Sequence, residues 1–287
     1  MPPVPSFPSA SEARHEEGFL HSRDHQRIYW QRYTPPSPRA TVAVLHGAGD
    51  HSGRYPGLTS ALVRAGFEAA LLDFRGHGQS DGRRWYVDAF SDYLADLDAF
   101  LARVRATAAG KTFVVGHSQG ALVAALWGLT HGAEVGGFVL SSPYLALALR
   151  PSPLKLWSAR LAGRLVPWLP VNAGLDVKDL TSSPEHQAWT ERDPLYGRKA
   201  TPRWFEESTR AQAEVLRRAS ELTAPVLVLA AGADRVADVR ATERWFEALG
   251  SSDKRLEVYA GFRHEIFNEV ERERPVREAV EWLSRRL

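Results

Sequence analysis

Cysteine is absent from the 287-residue sequence and methionine occurs once. No disulfide, thiolate metal site or cysteine nucleophile can be built from this chain. An excess of charge of one sign is missing too. The 36 basic and 34 acidic residues leave a formal charge of +2, so no overall field is available to hold a polyanion. No basic run interleaved with aromatics marks a nucleic-acid surface. No stretch reaches the ~18 apolar residues that suggest a membrane span. The opening MPPVPSFPSASEARH carries four prolines and no apolar run of the length a secretory signal needs. These absences lead us to expect a soluble, cytoplasmic protein that does not bind nucleic acid, with residues 1–17 as a flexible tail.

What is present is a 44% hydrophobic chain, long enough to bury one substantial core. Short aliphatic runs recur, each followed by polar or Gly-rich punctuation and then a helical pattern: TVAVLHG from Thr41, FEAALLDFRG from Phe67, TFVVGHS from Thr112, GFVLSS from Gly137 and PVLVLAAG from Pro225. Alternation of that kind implies a mostly parallel sheet covered on both faces, and near-continuous apolar strands fit burial on both sides. Gly18 to Tyr33 reads as two strands around a polar turn, an antiparallel start to the sheet. Arg255 to Tyr259 gives the last strand, and Pro275 to Leu287 a closing helix with Val276, Val280 and Leu283 on one face. The expected fold is α/β over residues 18–287.

The rhythm stops between residues 143 and 203, which read as a helical cap inserted between two strands. There Leu154, Trp157, Leu161, Leu165 and Trp168 fall at helical spacing, with Lys155, Arg160 and Arg164 off the stripe. The plainer expectation is that this stripe packs on the body of the protein. The sharper one is that part of it meets lipid or an acyl chain, which makes Leu154, Trp157 and Leu161 candidate substrate-binding residues and leaves room for peripheral membrane contact through the cap.

Gly116-His117-Ser118-Gln119-Gly120 matches G-x-S-x-G. A chance match is expected on the order of 0.1 times in a chain this long from average Gly and Ser usage. Its position after the strand TFVV and before the helical run ALVAALWGL is what the motif requires, because a sharp strand-to-helix turn thrusts the serine out at the strand's end. A serine hydroxyl is a weak nucleophile until a base takes its proton and donors receive the developing negative charge, so both partners should be findable. The chain order Ser, acid, His leaves His131, His186 and His264 of the ten histidines. His131 ends the helix after the elbow and His186 lies in the cap, whereas His264 follows the last strand. For the acid, Asp234 sits in the loop directly beyond PVLVLAAG; Asp238 lies later and suits a helix cap before Val239. For the oxyanion hole, His46-Gly47-Ala48-Gly49 follows the strand TVAVL, so the backbone amides of Ala48 and Gln119 are assigned. His46, His77 and His117 are expected to support turns. His46 and His51 lack the further ligands a metal site needs, and no metal or other cofactor is required.

HGAGDHSGRY (His46 to Tyr55), DFRGHGQSDG (Asp73 to Gly82), GHSQG, GADRVAD (Gly232 to Asp238) and GFRHEIFNE (Gly261 to Glu269) together resemble the monoacylglycerol lipase and lysophospholipase branch of the α/β hydrolases. The resemblance implies an eight-stranded, mostly parallel sheet with a helical cap, and hydrolysis of monoacylglycerols or related single-chain esters in a tunnel roofed by that cap. Ser118, Asp234 and His264 fall on the family's triad, and Ala48 and Gln119 on its oxyanion hole. Two departures stand out: Gln119 where animal members carry methionine, and Phe262-Arg263 before the histidine, which makes Arg263 a candidate for head-group preference. A lysophospholipase, carboxylesterase, thioesterase or acyltransferase would use the same triad, and a non-catalytic binding protein is the rival from another class. Dehalogenases and epoxide hydrolases of this fold place an aspartate at the elbow, against Ser118.

Overall fold

The computed structural model describes residues 13–148 and 161–287. Eight strands form one sheet in the order β1-β2-β4-β3-β5-β6-β9-β10. These are β1 (Arg14–His21), β2 (Arg27–Thr34), β3 (Ala40–Leu45), β4 (Phe67–Leu72), β5 (Thr112–His117), β6 (Phe138–Ser141), β9 (Val226–Ala231) and β10 (Lys254–Tyr259). The first two pair antiparallel, β2 meets β4 antiparallel, and every later pairing is parallel. A strand of only two residues, β7 (Val171–Asn172), pairs with β8 (Lys199–Ala200) inside the insertion. The first strand begins at Arg14, within the stretch expected as tail, because Arg14 through Glu17 register against Thr34 through Gln31.

Every residue of β3, β4, β5 and β9 is buried. Successive side chains point to opposite faces, so Val42 and Val44 join one core and Ala43 and Leu45 the other. Helix α1 (Pro56–Arg64) and the closing helix, Glu273–Ser284, cover one face through Leu58, Leu62, Val276 and Leu283. Helices α2 (Ser91–Thr107) and α3 (Gln119–His131) cover the other. Helix α3 is buried from Gln119 through Leu129, as a helix apolar all round must be.

Helix Pro202–Arg217 leaves the insertion and packs Trp204, Ala211 and Val215 into the core beside α3. The expected end of the cap at residue 203 therefore falls inside this helix's first turn. Leu154 and Trp157 lie outside the described residues. Of the rest of the stripe, Leu161 is 40%, Leu165 67% and Trp168 50% exposed, so its described part is only partly covered, with Trp168 in a cleft beside Tyr86 and Val87 of the body. Leu169 is 49% exposed as well, whereas Val171 and Leu175, also partly exposed, line the cavity described below.

Candidate active site

The turn from β5 into α3 explains its own glycines. Ser118 sits at φ 52° and ψ −114°, a left-handed conformation that side chains rarely adopt and that persists only where surrounding structure imposes it. A Cβ on Gly116 would come within 2.6 Å of the Gly120 carbonyl oxygen, and one on Gly120 within 2.4 Å of the Leu45 carbonyl oxygen. The elbow thus closes only with glycine on both flanks, and the serine is left at the strand's carboxyl end.

There it meets residues from two other strand ends. His264 Nε2 lies 2.8 Å from Ser118 Oγ, and His264 Nδ1 lies 2.8 Å from Asp234 Oδ2. The other Asp234 oxygen accepts from the amides of Val236 and Ala237. Burial penalises the Asp234 carboxylate, but the charge and hydrogen bond of His264 together with those amides outweigh it, and its pKa lies below the ordinary value. Burial likewise opposes a charged His264, yet the charge and hydrogen bond of Asp234, with Glu265 and Asp50 behind, hold its pKa above the ordinary value of 6.5. The line Ser118, His264, Asp234 can pass a proton from hydroxyl to imidazole while the carboxylate stabilises the imidazolium.

Ala48 lines the cavity above Ser118. Gln119 is the first residue of α3, so its amide is one of the N–H groups a helix leaves unpaired, aimed where an anion is favoured. His46 holds the Ala48 loop. The Phe74 amide donates to its Nε2 at 2.9 Å, which leaves the proton on Nδ1 to be donated to the Gly47 carbonyl at 2.7 Å. Burial, followed by the neighbouring His46, pushes the His77 pKa down to about 3; burial, followed by His264, does the same to His117. Both stay neutral. Asp238 caps the helix Val239–Ala248 by accepting from the Arg240 amide. His131 stacks on Trp127, and His186 is buried in the insertion.

Ser118 and His264 open into a cavity of about 600 Å³. Its walls are mainly apolar, with Trp85, Tyr144, Leu147, Leu175, Trp204 and Phe205, and its polar lining includes Asp50, Tyr196 and Glu265. Ala162 reaches the cavity where Leu161, expected to bind substrate, is not among the lining residues. Arg263, a candidate for head-group preference, turns away: its guanidinium donates to the carbonyls of Lys178 and Thr181. The next-but-one residue, Glu265, faces the cavity instead.

Arg54 is a feature that sequence reasoning passed over. It is fully buried and pairs with Asp50 at 2.8 Å and Glu265 at 3.1 Å. It also donates to Thr190 and lies against the rings of Trp189 and Tyr196 from the insertion. His51 adds a second tie, 2.9 Å from Asp193. HGAGDHSGRY contained both residues, but nothing in the string announces partners more than a hundred positions away.

A family model described as "Serine aminopeptidase, S33" matches residues 36–271. The chain belongs to this α/β-hydrolase family. As a serine hydrolase of that family, it is 30% identical over 262 residues to the monoacylglycerol lipase of Mycolicibacterium smegmatis, covering 90% of this chain and 92% of the relative. It is also 30% identical to phospholipase YtpA of Bacillus subtilis over 82% of this chain and 92% of that protein. The crystal structure of Paleococcus ferrophilus monoacylglycerol lipase superimposes with a TM-score of 0.83 at 30% identity, covering 91% of this chain and 99% of the other.

Proposed function

We propose that this serine hydrolase cleaves carboxylic esters of single-chain lipids, with monoacylglycerol as the leading substrate, giving glycerol and a free fatty acid. The observation that carries the reading is a Ser118-His264-Asp234 line opening into a largely apolar cavity, together with a monoacylglycerol lipase among its relatives. Apolar walls of Trp, Leu and Phe suit an acyl chain, and the few polar groups near Ser118 suit a small alcohol.

Ser118 Oγ attacks the ester carbonyl as its proton passes to His264 Nε2. The carbonyl oxygen, now negative, is held by the Ala48 and Gln119 amides. His264 then gives its proton to the departing alcohol, leaving an acyl group on Ser118, and water repeats the cycle to release the acid. Asp234 keeps the proton of neutral His264 on Nδ1, so that Nε2 is free to accept.

Among the described residues no helix is long and apolar enough to cross a membrane. We propose cytoplasmic action, with the exposed surface of Leu161, Leu165, Trp168 and Leu169 resting on a lipid surface. The test of the central reading is fatty-acid release from monoacylglycerols and lysophospholipids, beside p-nitrophenol release from short esters and amino-acid release from an aminoacyl amide, by wild type and Ser118→Ala. Turnover highest on monoacylglycerols and abolished in the variant is expected. Turnover confined to another substrate class would move the assignment to that class, and turnover surviving in the variant would remove Ser118 from its role.

A further inference from the structure

The cavity has two chemically different walls, and only one has been given a partner. On the side of His264, which hands its proton to the departing alcohol, stand the carboxylates of Asp50 and Glu265, 3% and 5% exposed respectively. Asp50 is saturated: it accepts from the His51 amide and the Tyr55 hydroxyl and pairs with Arg54. Glu265 is not. Its Oε2 takes both Arg54 and Asn268, while among the described residues no hydrogen bond is made to its Oε1.

The cations around this wall stand behind it: Arg54, Arg272 and Arg198, whose guanidinium donates to the Thr190 and Glu191 carbonyls, are all outside the cavity lining. Asp50, Glu265 and Asp193 bring three negative charges. Arg54 brings one positive charge, and His51, paired to Asp193, brings a second when protonated. The remaining histidines at the wall are His117, held neutral, and His264, neutral when it acts as base. Arg54 has no exposed surface and does not line the cavity. Among the described residues, no Lys or Arg lines it at all. An alcohol arriving beside His264 therefore sees carboxylate first, in a site where water screens little.

We propose that Glu265 makes the alcohol end of this site selective by charge, admitting neutral and cationic alcohols and turning away alcohols that carry phosphate. This rests on the ester-hydrolase reading above and gives its head group a sign. A phosphate on the departing glycerol would lie against a carboxylate with no exposed cation to receive it, which is discrimination by repulsion. A quaternary ammonium in the same place would pair with Glu265, where the free carboxylate oxygen and the Tyr196 ring suit a soft cation.

Four octanoyl esters test it: those of glycerol, choline, 3,3-dimethylbutanol and glycerol 3-phosphate. Choline and 3,3-dimethylbutanol differ in charge and hardly in shape, so once each kcat/KM is divided by that ester's own hydroxide-catalysed rate, which removes the inductive activation by the ammonium, their ratio reads charge at the site. The wild type should favour the choline ester by about tenfold and disfavour the phosphate ester relative to the glycerol ester by at least about tenfold. In Glu265→Gln both ratios should move toward one. Equal turnover of the choline and dimethylbutyl esters by the wild type overturns the proposal without recourse to any variant. Ratios unchanged in a folded Glu265→Gln protein remove Glu265 as the cause. Should the glycerol ester not be cleaved, the monoacylglycerol reading fails. Inhibition of p-nitrophenyl acetate turnover by choline against 3,3-dimethylbutanol then still decides the charge preference: stronger inhibition by choline upholds it, and equal inhibition ends it.

Discussion

At the scale of single residues, the site works by placing groups whose protonation is set by their neighbours. Asp234 accepts from His264 Nδ1 and from two backbone amides, and its negative charge is what lifts the His264 pKa against burial. In the proposed mechanism His264 must be neutral to accept the serine proton, so kcat/KM should fall as pH drops through that raised pKa. Asp234→Asn removes the charge, so the acidic limb should move to lower pH while the plateau drops by several orders of magnitude, on the order of 10⁴-fold as when such an aspartate is replaced elsewhere. A pH profile of p-nitrophenyl ester hydrolysis checks both. An acidic limb that stays in place would mean that another group sets the His264 titration. The serine's strained φ explains why two glycines are fixed around it and why G-x-S-x-G could be read directly: a steric requirement leaves a trace in the string. The convergence of Asp234 and His264 on Ser118 was legible for a similar reason, since each follows a strand with little chain between. Arg54 and Glu265 were not legible, because their partnership is made only when β3, the insertion and the last strand's loop converge.

At the scale of elements, the strands and their helices could be read from hydrophobic runs because each strand is buried on both faces. The antiparallel start was visible as well, though β1 begins at Arg14, where half-exposed alternating residues give a weaker signal than a buried run. The insertion resisted reading. An amphipathic stripe gives the period of a helix but not what covers its apolar side, and here Leu165 is mostly exposed and Trp168 half so. Replacing both with Ser should weaken binding to phospholipid vesicles while sparing hydrolysis of a soluble short-chain ester; vesicle sedimentation of the two proteins decides it, and equal binding removes this surface from the membrane contact. The other half of the insertion is tied down. Arg54→Ala would leave Asp50 and Glu265 buried with their shared cation gone, a loss of about 3–5 kcal/mol in urea unfolding. Arg54→Lys should recover only part of it, because an ammonium cannot spread over several carboxylates and two rings as a guanidinium does.

At the scale of the whole molecule, burial has set the charge state of four histidines. His46, His77, His117 and His186 all have lowered pKa values, the middle two about 3 and His186 about 4. In the unfolded chain they take up protons near the ordinary value of 6.5; in the folded protein they do so only at much lower pH. Their contribution to stability is present above pH 6.5 and is lost as pH falls toward these folded values. The thermal midpoint should therefore decline steadily between about pH 6.5 and 4, before most carboxylates titrate, and differential scanning calorimetry across that range would show it; a flat midpoint would mean that these rings protonate in place. The insertion carries a different consequence. The Gly197 amide donates to the Gly49 carbonyl, and a Cβ at Gly49 would come within 2.6 Å of the Gly197 oxygen. With His51 on Asp193, this fastens residues 190–197 to the loop proposed to hold the reacting oxygen, whereas residues 161–175 lack such ties to it and present exposed Leu165 on one side and cavity-lining Ala162 and Leu175 on the other. Change is therefore cheap in one half of the roof and ruinous in the other: a grafted segment could re-tune which surface or chain the enzyme accepts, and the chemistry beneath would not register the exchange.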